Sequence, residues 1–149
     1  MNTPESLRQT IQTLLDSQIQ AVLATQYQEQ PYTSLMAFAA TPDLRQIIFA
    51  TYWATQKYAN LLTNPRASLL FDNRSNDPTD YQNAVAISAQ GPTREVDAAR
   101  RAEFLQLYVS KHPRLQDFVA AKDCALLQMD VERYYVVSQF QNVAELRMA

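Results

Sequence analysis

The sequence has very few of the residues on which most catalytic and cofactor-binding motifs depend. Its 149 residues include one glycine (Gly91), one cysteine (Cys124) and one histidine (His112). A single glycine excludes glycine-rich phosphate loops and the dinucleotide-binding fingerprint, because both need several glycines where the backbone approaches a phosphate. A single cysteine excludes an intrachain disulfide, and one histidine beside one cysteine argues against a zinc site with several ligands. A Gly-x-Ser-x-Gly motif is also missing, which argues against a catalytic triad.

Long apolar runs and a strong net charge are missing as well. No apolar run reaches the roughly 18 residues of a membrane span, and the N-terminus lacks a basic stretch followed by an apolar core. The net charge of -2 and the pI near 5.3 give no general attraction for nucleic acid or acidic membranes. We therefore expect a soluble, cytoplasmic protein with neither of these partners. The length and the 47% hydrophobic content fit one domain over residues 1–149.

Hydrophobic periodicity and turn residues predict a series of strands with helices at the joins. The helical segments are residues 3–17, 56–63, 98–110 and a shorter one from 113. The strand segments are residues 19–27, 32–40, 46–51, 66–71, 83–90, 124–131 and 133–139, with extended pieces at 93–96 and 143–147. We expect 124–131 and 133–139 to form a closing hairpin, and 74–82 to be a loop. The predicted fold is α+β, a mostly antiparallel β-barrel of about six to seven strands with peripheral helices.

The central segment, residues 47–74, concentrates its polar residues between an apolar strand and a short amphipathic helix. It reads IIFATYWATQKYANLLTNPRASLLFDNR. Thr51, Thr55 and Lys57 place two hydroxyls and an ammonium at the start of the helix, where free N–H groups and the helix dipole favour an anion. The pattern predicts a site for an anion the size of a phosphate. The alternative is that Thr51 ends a strand, Thr55 is an ordinary N-cap and Lys57 is a solvated side chain.

Most of the chain, from the strand at Ala21 to the closing segment, resembles the pyridoxamine 5′-phosphate oxidase-like family of FMN-binding split barrels. The resemblance is carried by FATYWATQKYANLLTNPRASLLFDNR, which is similar to the family's strand, Thr, Ser/Thr-x-Lys helix start, Asn-Leu, Asn-Pro-Arg and second strand. It implies a split barrel that holds FMN, with the phosphate at the helix start. Together with the local pattern, it predicts cofactor contacts from Ser34, Leu35, Met36, Ala50, Thr51, Thr55, Gln56, Lys57, Asn73 and Arg74.

The sequence departs from the family's characterised oxidases in two places. Those enzymes carry an Arg and a Lys on either side of the strand that reads YTSLMAFA here, and a C-terminal Trp and Arg pattern that binds substrate. This chain has neither pattern, and its only tryptophan is Trp53. The resemblance therefore implies a member other than the vitamin oxidase, with no catalytic residue assigned. Arg74 and Arg66 are the candidates to replace the missing positive charge.

The resemblance also implies a homodimer with FMN at the subunit interface. The second subunit would contribute Tyr135, Gln139 and Phe140. The implied function is an FMN-dependent oxidoreductase, in which the flavin accepts a hydride or electrons from a small molecule or a reduced nicotinamide. The alternative is a non-catalytic protein that binds or carries a flavin or another planar cofactor such as haem. A deazaflavin is a third possibility, which the small number of basic residues disfavours.

Overall fold

A computed structural model of the chain describes residues 3–139 and 141–148. The helices are α1 (Pro4–Ser17), α2 (Gln56–Thr63), α3 (Asp80–Asn83), α4 (Ala98–Lys111) and α5 (Gln116–Ala120), with a 3₁₀ turn at Pro113–Leu115. The strands are β1 (Gln20–Tyr27), β2 (Gln30–Ala40), β3 (Gln46–Tyr52), β4 (Arg66–Asp72), β5 (Ala86–Glu95), β6 (Cys124–Asp130), β7 (Arg133–Ser138) and β8 (Asn142–Arg147). Most of them begin and end within two residues of the predicted segments.

Local chemistry explains where helices α1 and α2 begin and where α2 ends. The Thr3 hydroxyl accepts a hydrogen bond from the Ser6 N–H at 3.0 Å and caps α1. The Thr55 hydroxyl accepts one from the Tyr58 N–H at 3.2 Å and caps α2. Helix α2 stops before Asn64, which is extended because the residue before a proline avoids the helical conformation.

Six of the strands form a closed antiparallel barrel. They follow the order β4-β1-β2-β3-β6-β5, and the additional pairing of β4 with β5 closes the ring. Strands β7 and β8 extend the sheet from the edge of β5. The predicted α+β antiparallel barrel with peripheral helices is therefore confirmed, with six strands in the barrel and two outside it.

Strand β5 corrects the prediction of two separate strands around Gly91 and Pro92. It runs unbroken through both residues and pairs with β4 from Asp72↔Ala86 to Arg66↔Pro92. The Thr93 N–H donates a hydrogen bond to the Pro65 carbonyl on the β4 side, whereas the Gln90 carbonyl accepts one from the Glu132 N–H on the other side. Because backbone groups of successive strand residues point to alternate sides, the nitrogen of Pro92 faces away from β4. Pro92 thus lies where no ladder hydrogen bond from its nitrogen is needed, and the strand tolerates it.

The predicted hairpin between β6 and β7 is wrong. The two strands lie end to end along one edge of β5: β7 pairs with Ala86–Gln90, and β6 pairs with Thr93–Glu95. The hairpin that does form joins β7 to β8. At the crossover, a Cβ on Gly91 would lie 2.1 Å from the Asp130 carbonyl oxygen, so this close approach requires the chain's only glycine.

The loop predicted over residues 74–82 is partly ordered by its own side chains. Helix α3 begins inside it, at Asp80. The Asp80 carboxylate accepts hydrogen bonds from the Ser75 N–H at 3.0 Å and the Asn76 N–H at 2.8 Å. Asp97 does precede α4 as predicted, but its side chain makes no capping bond and pairs with Arg94 instead.

Two apolar clusters lie on opposite sides of the barrel wall. The inner cluster fills the barrel beneath α1, and the outer one lies between the wall and helices α4 and α5. Strand β3 contributes Ile47 and Phe49 to the inner cluster, and Ile48 and Ala50 to the outer one. Its residues are therefore buried on both faces, which explains the continuous apolar run in the sequence.

Candidate functional site

The site begins where strands β2 and β3 stop pairing. They pair only from Ala40↔Ile47 to Phe38↔Phe49. Continued in the same register, Met36 would face Thr51 and Leu35 would face Tyr52, but the structure records no pairing there. The other edges of these segments are occupied, β2 by β1 and β3 by β6. Between them lies a gap bordered by backbone groups with the capacity to bind a ligand.

A cavity of about 230 Å³ opens at this gap. Six of the predicted cofactor contacts lie around it: Leu35, Met36, Ala50, Thr51, Thr55 and Lys57. The sequence pattern had placed them on a strand, a second strand and a helix start, and the structure brings them together. The remaining lining residues are Gln20, Ala37, Tyr52, Tyr108, Leu115 and Phe118.

Among the described residues that line the cavity, only Lys57 is charged. It is half-buried, and burial lowers the pKa of its ammonium below the usual value. Its ammonium has no ion-pair or hydrogen-bond partner among residues 3–139 and 141–148. A half-buried cation without a counter-ion is costly in the folded chain. The geometry therefore leaves Lys57 able to take an anion from outside.

The start of α2 adds further donors beside Lys57. The Thr51 and Thr55 hydroxyls lie 2.9 Å apart. Thr55 already bonds the N–H of Tyr58, and its carbonyl accepts from Ala59. The N–H groups of Gln56 and Lys57 precede the intrahelical ladder, so they stay available at the positive end of the helix dipole. This end of α2 has the chemistry of an anion-binding helix start.

Ser34 and Gln56, two further predicted contacts, lie beside the cavity without lining it. The Ser34 hydroxyl is buried in the part of β2 that pairs with β1 but not with β3, and its oxygen has no hydrogen-bond partner in the described chain. The Gln56 side-chain amide donates to the Asn60 side chain at 2.7 Å, which leaves its backbone N–H as the group nearer to an anion.

Asn73 and Arg74 lie away from this cavity. The side-chain oxygen of Asn73 accepts from the Val85 N–H at 2.7 Å and joins the ends of β4 and β5. Arg74 pairs with Asp72 at 3.0 Å and lines a different cavity, of about 380 Å³. Arg66, the other candidate cation, pairs with Glu132 at 2.5 Å. Within one subunit, none of these groups joins Lys57.

The residues assigned to the second subunit lie near the end of the chain. The Tyr135 hydroxyl accepts from Arg133 at 3.3 Å, and Gln139 lies in the turn after β7 with a φ of 47°. Phe140 lies outside the described residues. Trp53 is 54% exposed in the β3–α2 turn, where its backbone N–H donates to the Asp123 carbonyl.

The sequence-based prediction missed the aromatic wall of the cavity. Tyr52 and Phe118 meet edge to face with ring centroids 4.9 Å apart, and Tyr108 lies beside them at 1% exposure. The apolar faces of α4 and of the segment after Pro113 were visible in the sequence. Nothing in their periodicity indicated that they pack over the end of β3, because this contact joins distant parts of the chain.

A larger cavity, of about 450 Å³, lies between the β2–β3 turn and α4. Its cation, Arg100, pairs with Glu103 at 3.2 Å and stacks on Phe104. The smaller cavity is the better candidate site because its cation is unpaired. Among the described helices, none is long and apolar enough to cross a membrane.

Comparison with known proteins agrees with this geometry. A family model described as pyridoxamine 5′-phosphate oxidase matches residues 7–138. The chain belongs to this family. The pyridoxamine 5′-phosphate oxidase match includes the gap between β2 and β3 and the whole of α2. No curated protein matches the sequence.

Solved structures share the fold of this pyridoxamine 5′-phosphate oxidase family member at low sequence identity. A heme binding protein from Mycobacterium smegmatis superposes with a TM-score of 0.84 at 15% identity, over 99% of this chain and 59% of that one. General Stress Protein 26 from Bacillus anthracis superposes with a TM-score of 0.71 at 20% identity, over 95% of this chain and 98% of that one. A FAD-binding protein from Mesorhizobium loti superposes with a TM-score of 0.68 at 14% identity, over 86% of this chain and 91% of that one. This chain thus spans about three fifths of the mycobacterial protein, and the neighbours include binders of two different cofactors.

Proposed function

We propose that this chain is an FMN-binding oxidoreductase of the pyridoxamine 5′-phosphate oxidase-like type. The observation that carries the proposal is the half-buried, unpaired ammonium of Lys57 in a cavity at the start of α2, beside the open edges of β2 and β3. When bound, the flavin would supply the hydride and electron transfer. The protein's own contribution is then to bind the phosphate, orient the ring and exclude water.

The residues present fit the two ends of FMN. Lys57 and the N–H groups at the start of α2 would hold the phosphate through charge-assisted hydrogen bonds. The free backbone edges of Leu35–Met36 and Ala50–Thr51 would hydrogen-bond the polar rim of the ring, and Phe118 offers an apolar surface. Arg74, engaged with Asp72 in its own subunit, would contribute only through the second subunit.

The same site favours a flavin over haem. His112, the only histidine, is 6% exposed, and its Nε2 lies 2.6 Å from the Phe38 carbonyl oxygen. An imidazole engaged in this way would have to break that bond before it could ligate an iron. Among flavins, one unpaired ammonium matches the single terminal phosphate of FMN better than the diphosphate of FAD.

A homodimer with FMN at its interface belongs to the proposal. Val22 pairs with Leu35 on one side and Leu70 on the other, so the three side chains form an apolar row on the outer face of the barrel. Leu35 is 64% exposed and Leu70 is 40% exposed. Since Leu35 also lines the cavity, a second copy that covers this row would also cover the site. Sedimentation should give a dimer, and Leu70→Glu should give a monomer. A monomeric wild-type protein would contradict this part.

The test of the function is the visible spectrum of the purified protein, followed by titration with FMN. Flavin absorption, or binding of added FMN at micromolar concentration, is the expected result. Bound flavin that is then reduced by NADH or NADPH and reoxidised over many cycles would support turnover. Failure to bind FMN would reject the proposal.

The alternative is a flavin carrier without turnover. It is favoured by the cavity lining, in which Lys57 is the only charged group and the other titratable side chains are tyrosines. Flavin that binds but stays oxidised with every donor would support the carrier and reject the oxidoreductase.

A further inference from the structure

Helix α2 carries a buried amide where an apolar residue would serve packing better. Asn60 is fully buried, beside Leu61 on the only buried face of this eight-residue helix. Asparagine is a weak helix former, and burying its amide is costly unless every polar atom is paired. Both polar atoms are paired here. The Asn60 Nδ2 donates to the Thr25 hydroxyl at 3.0 Å, and its Oδ1 accepts from Gln56 at 2.7 Å.

These bonds connect β1 to the first turn of α2. Thr25 is 4% exposed and points into the barrel from β1, and Gln56 is the first residue of α2. On the opposite side, the Thr51 hydroxyl of β3 lies 2.9 Å from that of Thr55. The start of α2 is therefore held by both strands that flank β2, one on each side of the gap.

A short helix held at two points cannot rotate freely about its axis. The direction of the Gln56 and Lys57 N–H groups, and of the Lys57 side chain, depends on that rotation. Loss of the β1 connection would leave Leu61 as the main contact on the buried face, together with the hydrogen bonds of Thr55 to Thr51 and of Tyr58 to Glu95. An apolar contact is not directional, and hydrogen bonds that are partly or fully open to water constrain the rotation less than the buried bond from Asn60 to Thr25.

We infer that Thr25, Asn60 and Gln56 form a positioning network that aims the start of α2 at the phosphate. The network would thereby make the site prefer FMN over riboflavin, which has the same ring and no phosphate. This inference rests on the proposed function. Asn60 and Thr25 are positioning residues, because they act through the first turn of α2 and touch no ligand.

The experiment compares FMN and riboflavin affinities by flavin fluorescence in the wild-type protein and in Thr25→Val. Valine keeps the shape of threonine and removes the hydroxyl. The preference for FMN over riboflavin should fall about tenfold, as expected when a charge-assisted bond is misdirected, while the riboflavin affinity changes less than about threefold. Asn60→Leu should act in the same direction, and Thr25→Ser, which keeps the hydroxyl, should restore the preference.

Thr41→Val is the matched control. Thr41 is also buried, at 6% exposure, and its hydroxyl donates to Asp43 at 2.7 Å at the far end of β2. The Thr41→Val variant should be less stable than the wild type but should keep its preference for FMN over riboflavin. A wild-type protein that binds neither flavin would reject the proposed function together with this inference. A wild-type protein that prefers FMN, with folded Thr25→Val and Asn60→Leu variants that keep the preference or lose both flavins equally, would reject the inference alone.

Discussion

The two half-buried lysines of this chain differ in what surrounds the ammonium. Lys111, at the end of α4, donates to the Leu15 carbonyl at 2.8 Å, and its nitrogen lies 3.8 Å from the centre of the Phe38 ring. Lys57 has no such partner in the described chain, although it lines a cavity. Burial lowers the pKa of both side chains, to about 8 for Lys111, where Asp16 partly opposes the shift.

The difference distinguishes a lysine whose interactions the fold completes from one that we propose binds a ligand. Leu15 lies in the last turn of α1, where the carbonyls have no intrahelical partner, so Lys111 satisfies one of them and neutralises the negative helix end. Its interactions are completed by the fold. Lys57 lies at the positive end of a helix, where a cation is unfavourable without an anion. Its interactions are incomplete within residues 3–139 and 141–148, which is the state expected of a ligand-binding group.

The largest expected effect comes from Lys57→Ala. If Lys57 makes a charge-assisted bond to the phosphate, FMN binding should weaken by about 1.5 to 3 kcal/mol, measured by flavin fluorescence titration. The free energy of unfolding without FMN should change by less than about 0.5 kcal/mol, because the fold does not use this ammonium. FMN should also raise the melting temperature of the variant less than that of the wild type.

The exposed Lys122 provides the control for Lys57, since Lys122→Ala removes the same charge from a residue that does not line the cavity. It should leave FMN affinity unchanged. Equal affinities for the wild type and Lys57→Ala would remove Lys57 from the site.

Lys111→Ala should show the opposite pattern. It removes the partner of the Leu15 carbonyl and the side chain that lies over Phe38, so urea unfolding should give a loss of about 1 kcal/mol. FMN affinity should stay within about threefold of the wild type, since a completed structural group makes no ligand contact. A larger loss of FMN binding than of stability would contradict the separation of the two lysines.

Thr55→Ala tests a residue that both stabilises the fold and lies at the proposed binding site. Thr55 caps α2 and lies at the cavity with Lys57. Loss of the cap should cost about 0.5 to 1 kcal/mol of unfolding free energy, and FMN affinity should fall by a similar amount because the helix start frays. Thr55→Ser keeps the hydroxyl and should restore both. An effect on stability alone would place Thr55 outside the binding site.

The sequence indicated Lys57 but not the role of Lys111, for a physical reason. Lys57 follows a capping threonine in a helix start, and that local pattern favours an anion. The partner of Lys111 lies 96 residues away in sequence, so no local pattern reports it. The same limit explains the wrong β6–β7 hairpin: adjacent apolar segments favour a hairpin, whereas pairing with β5 depends on the closure of the whole barrel.

Local patterns predicted elements well where one sequence feature fixes them. The Thr3 and Thr55 caps and the Asn64-Pro65 stop are examples. The predicted contacts Asn73 and Arg74 show what a local pattern leaves open, since it does not say which cavity a residue will line. Both residues come directly after β4, a strand of the barrel, yet Asn73 and Arg74 line two other cavities.

The smallest expected effect is the contribution of Lys111 to the pH dependence of stability. Its pKa is about 8 in the folded chain, and an unfolded lysine has a pKa near 10.4. Between these values the unfolded chain holds a proton that the folded chain has released, so stability should rise with pH. The matched variant is Lys111→Met, which keeps an unbranched side chain and loses the charge.

The stability difference, wild type minus Lys111→Met, should increase between pH 8 and 10 by at most about 1 kcal/mol, because the ammonium is partly exposed to water. Urea unfolding of both proteins at pH 7, 8, 9 and 10 measures the difference, in which contributions common to the two proteins cancel. A difference that stays flat would mean that Leu15 and Phe38 compensate fully for burial. The fold would then satisfy the Lys111 ammonium at every pH in this range, and the difference between Lys111 and the unpaired Lys57 would be larger.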